Sequence, residues 1–181
     1  MSNPSMYILK DNGKFPNSRF PVLHYPGAVS VPVLFAAQRI TSLFKRNGWT
    51  NNWRDGIYTY AHYHSNTHEA MAVIRGRTTL QLGGEAGTFI KMQKGDLLII
   101  PAGVAHKNMG HQKDVICIGG YPEGTDFDMN TGQPGERPAT DAAIAAVPLP
   151  ANGPLCPETE LFAIWSRYLC NQKGANVKLQ R

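Results

Sequence analysis

From Val33 to Phe44 the apolar residues recur at spacings of three and four. Val33, Ala37, Ile40 and Phe44 form one stripe, with Gln38, Arg39, Ser42 and Lys45 off it. Pro32 precedes the stripe, Arg46 lies in its last turn and Gly48 just beyond. The pattern predicts an amphipathic helix over about 33–47. From about residue 56 the rhythm shortens. Runs suited to strands follow one another: Ile57–His64, Glu69–Arg75, Arg77–Leu82, Thr88–Met92, Leu97–Ile100 and Asp114–Ile118. Gly76, Gly83-Gly84, Gly87, Gly95-Asp96 and Pro101-Ala102-Gly103 separate them, all with turn chemistry. Short strands this close together, without helices between them, pair antiparallel in a sandwich or barrel.

The flanks differ. The first 30 residues are rich in Pro, Asn and Gly, with short apolar runs at Met6–Leu9 and Pro21–Tyr25, and read as an extended arm. After Gly119-Gly120 the chain is Pro-rich from Pro122 to Pro157. It reads as a tail wrapping the barrel, with a turn of helix near Asp141–Ala146. Glu158–Leu169 resumes a helical pattern through Leu161, Ile164, Trp165 and Tyr168, and Cys170–Arg181 reads as a polar, basic, frayed end. The expected organisation is one domain in three parts: arm and helix over 1–54, barrel core over 55–121, and a wrapping segment with a short helix over 122–181.

Composition narrows the class. A hydrophobic fraction of 42% with 17% charged residues supplies a core and excludes wholesale disorder. No apolar run nears the roughly 18–20 residues that span a bilayer, and Met1-Ser2-Asn3-Pro4 does not open a secretory signal. The net charge of +5 comes from 18 basic and 13 acidic residues, spread without a dense cluster. That describes a solvated surface rather than a nucleic-acid face. Cys117, Cys156 and Cys170 are odd in number and far apart, which fits reduced thiols in the cytoplasm.

Histidine carries the chemical signal. His62, His64 and His68 fall close together, and Glu69 follows directly. On a strand His62 and His64 face the same way, about 6–7 Å apart. Each neutral ring needs hydrogen-bond partners, so the pair suits convergence on a metal better than plain packing. Glu69 starts the next run after a short turn, and His106 follows Pro101-x-Gly103, a turn that can deliver a third imidazole.

Gly56, five residues, His62-x-His64, four residues, Glu69, six residues, Gly76 resembles the first motif of the cupin superfamily. Gly95, five residues, Pro101-x-Gly103, two residues, His106 resembles the second. The place where cupins often have Asn, four residues after that His, is Gly110 here, with Asn108 two residues earlier. Tyr7–Gly13, Trp53-Arg54-x-Gly56-Ile57-Tyr58, Tyr63-His64-Ser65, Leu80–Gly84, Pro134-Gly135-Glu136-Arg137-Pro138 and Val147-Pro148-Leu149-Pro150 are similar to the YjlB-like group of small single-domain cupins. That similarity runs from about residue 6 to 165. It departs after Pro150, where Ala151-Asn152-Gly153 replaces an Asp-Pro-x-x-Gly stretch. The resemblance implies an all-β fold: a single cupin double-stranded β-helix barrel of the jelly-roll type, with about six to eight strands. It also implies a metal site built from His62, His64, Glu69 and His106. The YjlB-like group has no settled reaction, so no substrate comes with it.

Three imidazoles and a carboxylate suit one divalent transition metal: Fe, Mn, Ni, Zn or Cu. The lack of Cys ligands argues against a closed structural zinc site. Four protein ligands leave two positions of an octahedral ion for substrate or dioxygen. Tyr58 and Tyr60 share strand parity with the histidines and are expected in the barrel interior, as site residues or as aromatic core. Tyr60, with Glu69, is the candidate for catalysis. Met71 and Val73 are expected to wall the pocket, and Arg75 to be solvated. His68, of opposite parity to Glu69, is expected to be exposed or to contact the ligands' surroundings, and His24 and His111 to lie on the surface. The expected function is a metal-dependent enzyme of oxygenase or isomerase/lyase type acting on a small organic molecule. The alternative is a non-catalytic ligand-binding or sensor cupin. A dication beside one carboxylate leaves the site near +1, which favours an anionic or enolisable oxygen ligand. A two-cupin oxalate-type enzyme is excluded, because each motif occurs once. The apolar runs of the arm and the open sheet edges lead to the expectation of a homodimer.

Overall fold

The computed structural model describes residues 3–156 and 160–175, with side chains described for all of these except 160 and 170–175. Its strands are β1 (Ser5–Tyr7), β2 (Val22–Tyr25), β3 (Trp49–Asp55), β4 (Glu69–Leu82), β5 (Thr88–Gln93), β6 (Leu97–Ile100), β7 (His106–Asn108) and β8 (Val115–Pro122). Its helices are α1 (Ala36–Arg46), α2 (Ala139–Ala146) and α3 (Glu160–Ala175). The fold is mostly antiparallel β-sheet, ordered β1-β2-β6-β4-β8-β3, with β5 and β7 also paired to β4.

Strand β4 organises the barrel. Its first half pairs with β6 (Glu69↔Ile100 to Ala72↔Leu97) and with β8 (Ala70↔Gly120 to Gly76↔Val115). Its second half pairs with β5 (Arg77↔Gln93 to Leu82↔Thr88) and with β7 (Leu80↔Asn108 to Leu82↔His106). One strand thus passes between two sets of partners, bending at a register shift between Val73 and Arg75 and at Gly76, whose φ is 79°. The pattern predicts two strands broken at Gly76, but the structure keeps one. Gly76 turns the chain without ending the ladder, and a Cβ there would overlap the Asp114 carbonyl oxygen.

Alternation along β4 separates two cores. Met71 and Val73 join Leu80, Leu98, Ile100 and Cys117 inside the barrel. Ala70, Ala72 and Ile74 lie on the outer face, against Ile40, Phe44, Ile99 and Trp165. Leu97–Ile100 is continuously apolar because β6 is buried on both faces. Full burial of Phe44 contributes about 2 kcal/mol relative to exposure, and Trp165 Nε1 anchors α3 by donating to the Pro21 carbonyl at 3.0 Å.

Several expectations change. The first helix begins at Ala36 rather than 33, because Phe35 sits in the left-handed region at φ 59° and Val33 is 96% exposed. Parts of the arm pair as β1 and β2, an extension the isolated runs do not reveal. Residues 57–64 do not form a strand. Within this stretch His62 and Tyr63 make single bridges, to His106 and Asn130. Strand β8 continues through Gly119-Gly120 to Pro122 instead of ending at Ile118. The last helix runs to Ala175, past the expected end at Leu169. Residues 157–159 and 176–181 lie outside the described set, and with them part of the expected frayed end.

The Pro-rich segment folds back over the 63–66 stretch. Tyr63 N donates to Asn130 O at 2.8 Å, and Asn130 N returns a bond to Tyr63 O at 3.0 Å. Arg137 fastens it to the arm through Asp11 and to α2 through Asp141, with Nε donating to Asp141 at 2.9 Å. Among the described residues no helix is long and apolar enough to cross a membrane.

Candidate metal centre

Two separate pieces of chain deliver the histidines, and a third delivers Glu69. His62 and His106 face each other across a two-bond bridge: His62 N donates to His106 O at 3.2 Å and His106 N to His62 O at 2.9 Å. Tyr63 turns the other way, into contact with Phe15, and local alternation returns His64 to the side of His62. Gly103 N donates to His64 O at 2.8 Å, tying the Pro101–Gly103 turn, and His106 beyond it, to the same locus. Glu69 enters as the first residue of β4, paired with Ile100.

The ring nitrogens of His62, His64 and His106 that could ligate an ion lie within 4.8 Å of one another, and all three residues are buried. Each ring uses its other nitrogen on a backbone carbonyl. His62 Nδ1 donates to Tyr60 O at 3.2 Å, His64 Nδ1 to Asp128 O at 2.5 Å, and His106 Nδ1 to Val104 O at 3.1 Å. A carbonyl can only accept, so each proton belongs on Nδ1 and each Nε2 lone pair is left free. Glu69 Oε2 stands 3.5 Å from His64 Nε2 and 3.4 Å from His106 Nε2. It is buried without a hydrogen-bond partner. Its other oxygen, Oε1, accepts from the Tyr121 hydroxyl at 2.9 Å, and Tyr121 in turn accepts from Trp53 Nε1 at 3.1 Å.

Converging Nε2 atoms beside an ionised carboxylate call for positive charge. The titration behaviour agrees. Burial pushes His62 down to about 3, and His106 beside it acts in the same direction. Burial would also lower His64, but the Glu69 carboxylate reverses this and raises it. Burial would raise Glu69, yet His106 and His64 hold it well below the usual carboxylate range. The centre therefore demands positive charge next to Glu69. A ring proton or a divalent ion satisfies it, and the donor set fits the ion.

A cavity of about 150 Å³ opens onto these residues. Its walls are Trp53, Ile57, Tyr58, Met71, Tyr121, Phe127 and Met129, with Asp55 and Gly56 also lining it. Tyr58 reaches the cavity but is 39% exposed. Tyr60 does not line it: 47% exposed, it stacks on Tyr58 with ring centroids 5.0 Å apart. Because residues 57–61 leave the sheet, the alternation that placed both tyrosines inside does not apply. Met71 lines the cavity, whereas Val73 is buried deeper in the core and does not.

For His68 the structure selects one of the two expected alternatives, contact with the ligands' surroundings, and for His24 it corrects the expectation. His68 is not exposed: Ala102 N donates to its Nδ1 at 2.9 Å, its Nε2 reaches Pro148 O at 3.2 Å, and Trp165 packs 4.7 Å away. It braces the turn that precedes His106. His24 is likewise buried, paired to Asp96 at 3.1 Å. His111 and Arg75 are exposed, as expected.

Sequence reasoning missed Trp53, Tyr121, Phe127 and Asp128. Gly119-Gly120 is the signal for the first two, since a Cβ on Gly119 would overlap the Trp53 indole. Glycine there lets the indole lie on β8 and reach Tyr121. Asn108 fills a structural place. Its Nδ2 donates to His111 O at 2.8 Å, and its Oδ1 accepts from Gly110 N at 2.9 Å and from Thr78.

The sheet order, the turns and the histidine triad together define a cupin barrel, and the family described as Cupin domain matches residues 55–117. The uncharacterized protein YjlB of Bacillus subtilis (strain 168) is 40% identical over 161 residues, spanning 88% of this chain and 94% of that protein. The chain belongs to the cupin superfamily, in the YjlB-like group of small cupins. Among solved structures it is similar to an acireductone dioxygenase from Bacillus anthracis with a cadmium ion in its active center. The TM-score is 0.39 and the identity 14%, over 59% of this chain and 80% of that one. A mutant of Bacillus subtilis Oxalate Decarboxylase OxdC gives a TM-score of 0.36 and 17% identity, over 61% of this chain and 27% of that one.

Proposed function

We propose that this protein is a mononuclear-metal cupin that acts on a small organic molecule, with His62, His64, His106 and Glu69 as ligands. One observation carries the reading: three Nε2 lone pairs, oriented by carbonyls on Nδ1, converge beside a buried and unpartnered Glu69 Oε2. A divalent ion held there supplies Lewis-acid polarisation of a bound oxygen or, if redox-active, a path for electrons to dioxygen. The chain's own residues do the rest. Tyr121 holds Glu69 in one orientation through Oε1, so that Oε2 faces the histidines. The aromatic and thioether walls make the surroundings of the reacting oxygen largely apolar. Elemental analysis of the protein as isolated, then oxygen-consumption screening with enediols, diketones and phenolic acids, tests this. A metal-free protein whose four ligands stay unoccupied at saturating metal would refute it.

The second reading is a non-catalytic binding or sensor cupin. It is favoured by walls that, beyond the ligands, are largely apolar: Ile57, Met71, Phe127 and Met129. Turnover of any screened compound rejects it. The cytoplasmic location belongs to our reading on the strength of the odd, widely separated cysteines. So does a homodimer, supported by edge strand β1 with exposed Met6 and Ile8 beside it. Light scattering near 40 kDa is expected, twice the 19.9 kDa of one chain, and a value near 20 kDa rejects it.

A further inference from the structure

Resting on the metal reading above, we infer that the ligand is flat, about the size of one six-membered ring, and carries no more than one negative charge. Dicarboxylates and phosphorylated compounds are excluded from the class. Three observations point there. First, the cavity holds about 150 Å³, the volume of an apolar cavity that accommodates benzene. Second, aromatic rings flank the histidines. Tyr58 lies 5.3 Å from His62 on one side. On the other, Phe127 lies 4.9 Å from His64 and stacks at 4.9 Å on Tyr121. Such walls suit a planar π-system presenting an oxygen to the centre.

Third is charge. The cavity lining contains no lysine or arginine, and its acidic members are Glu69 and Asp55. A dication and the Glu69 carboxylate leave one positive charge, which a monoanionic oxygen chelator cancels. The second charge of a dianion would sit among largely apolar walls with no cation to meet it, and Asp55 would add repulsion. An enolate or phenolate conjugated to a carbonyl meets all three conditions.

The probe pair is tropolone, a flat monoanionic oxygen chelator, and oxalate, a small dianion. Wild-type protein is loaded with Co(II), freed of excess by gel filtration and titrated with each, following the visible cobalt spectrum. Affinities are normalised to those for the aqueous ion. Tropolone is expected to be preferred by about tenfold or more, equivalent to about 1.4 kcal/mol. Phe127→Ala should weaken tropolone several-fold at unchanged cobalt content, and Met129→Lys should raise oxalate affinity. Cobalt retained with oxalate bound as well as tropolone would overturn this inference while leaving the metal reading intact. Cobalt not retained at all would overturn both.

Discussion

Replacing Tyr121 with Phe removes one oxygen from the centre of the site and leaves the ring that stacks on Phe127. That oxygen donates to Glu69 Oε1 at 2.9 Å and accepts from Trp53 Nε1 at 3.1 Å, in a residue 2% exposed. A hydrogen bond to a buried carboxylate is worth about 1.5–3 kcal/mol, and the stranded indole N–H adds about 1 kcal/mol. Freed at Oε1, Glu69 no longer holds Oε2 toward His64 and His106. Loss of such an orienting partner costs about 10–100-fold in metal affinity. The assay is chelator competition for Zn(II) or Co(II), with thermal melting of the metal-free protein alongside. In a Glu69→Gln background the Tyr121→Phe change should cost clearly less, because the two groups act through one bond. Wild-type metal affinity in Tyr121→Phe, with an unchanged melting temperature, would refute the orienting role.

Other consequences follow from the same contacts. Gly119→Ala places a Cβ in the Trp53 indole and should destabilise by about 1–3 kcal/mol in urea unfolding; Trp53→Ala should relieve most of that cost. Glu136 accepts from the Tyr63 hydroxyl, Thr131 N and Gly132 N, each at 2.9 Å. Burial would raise it, but these donors hold it below its ordinary value of 4.5. A depressed folded-state pKa means that the stabilisation is present above the unfolded value and is lost as pH falls through the folded one. Glu136→Gln should therefore cost about 1 kcal/mol near neutrality, and the gap from wild type should close below about pH 4.5. A gap independent of pH would show that the carboxylate charge is not what latches the tail.

The barrel and its ligand motif are legible in the sequence because both are local. Strand β6 matches its predicted span at both ends, since a run buried on both faces leaves no doubt about its extent. His62, His64, Glu69 and His106 are visible through spacing. What the sequence does not show depends on partners distant along the chain. Tyr60 turns outward because residues 57–61 touch β7 only through isolated bonds, such as Asn108 N to Tyr58 O at 2.8 Å, and strand parity holds only within a continuous ladder. His24 and His68 are buried because Asp96, Ala102 and Pro148 meet them from 72, 34 and 80 residues away. Tyr121 lies hidden behind Gly119-Gly120, which resembles a turn until the Trp53 indole is placed against it.

Metal stoichiometry in matched ligand variants tests the central claim most directly. Wild type, His62→Ala, His106→Ala and a control that neither lines the cavity nor belongs to the histidine cluster, His111→Ala, are loaded identically, shown to be folded by circular dichroism, and analysed for transition metals. Near one equivalent per chain is expected in wild type and His111→Ala, with a large loss in both ligand variants, because each removes one of three converging Nε2 donors. Folded His62→Ala and His106→Ala proteins that keep the wild-type equivalent would contradict the metal centre described for this chain.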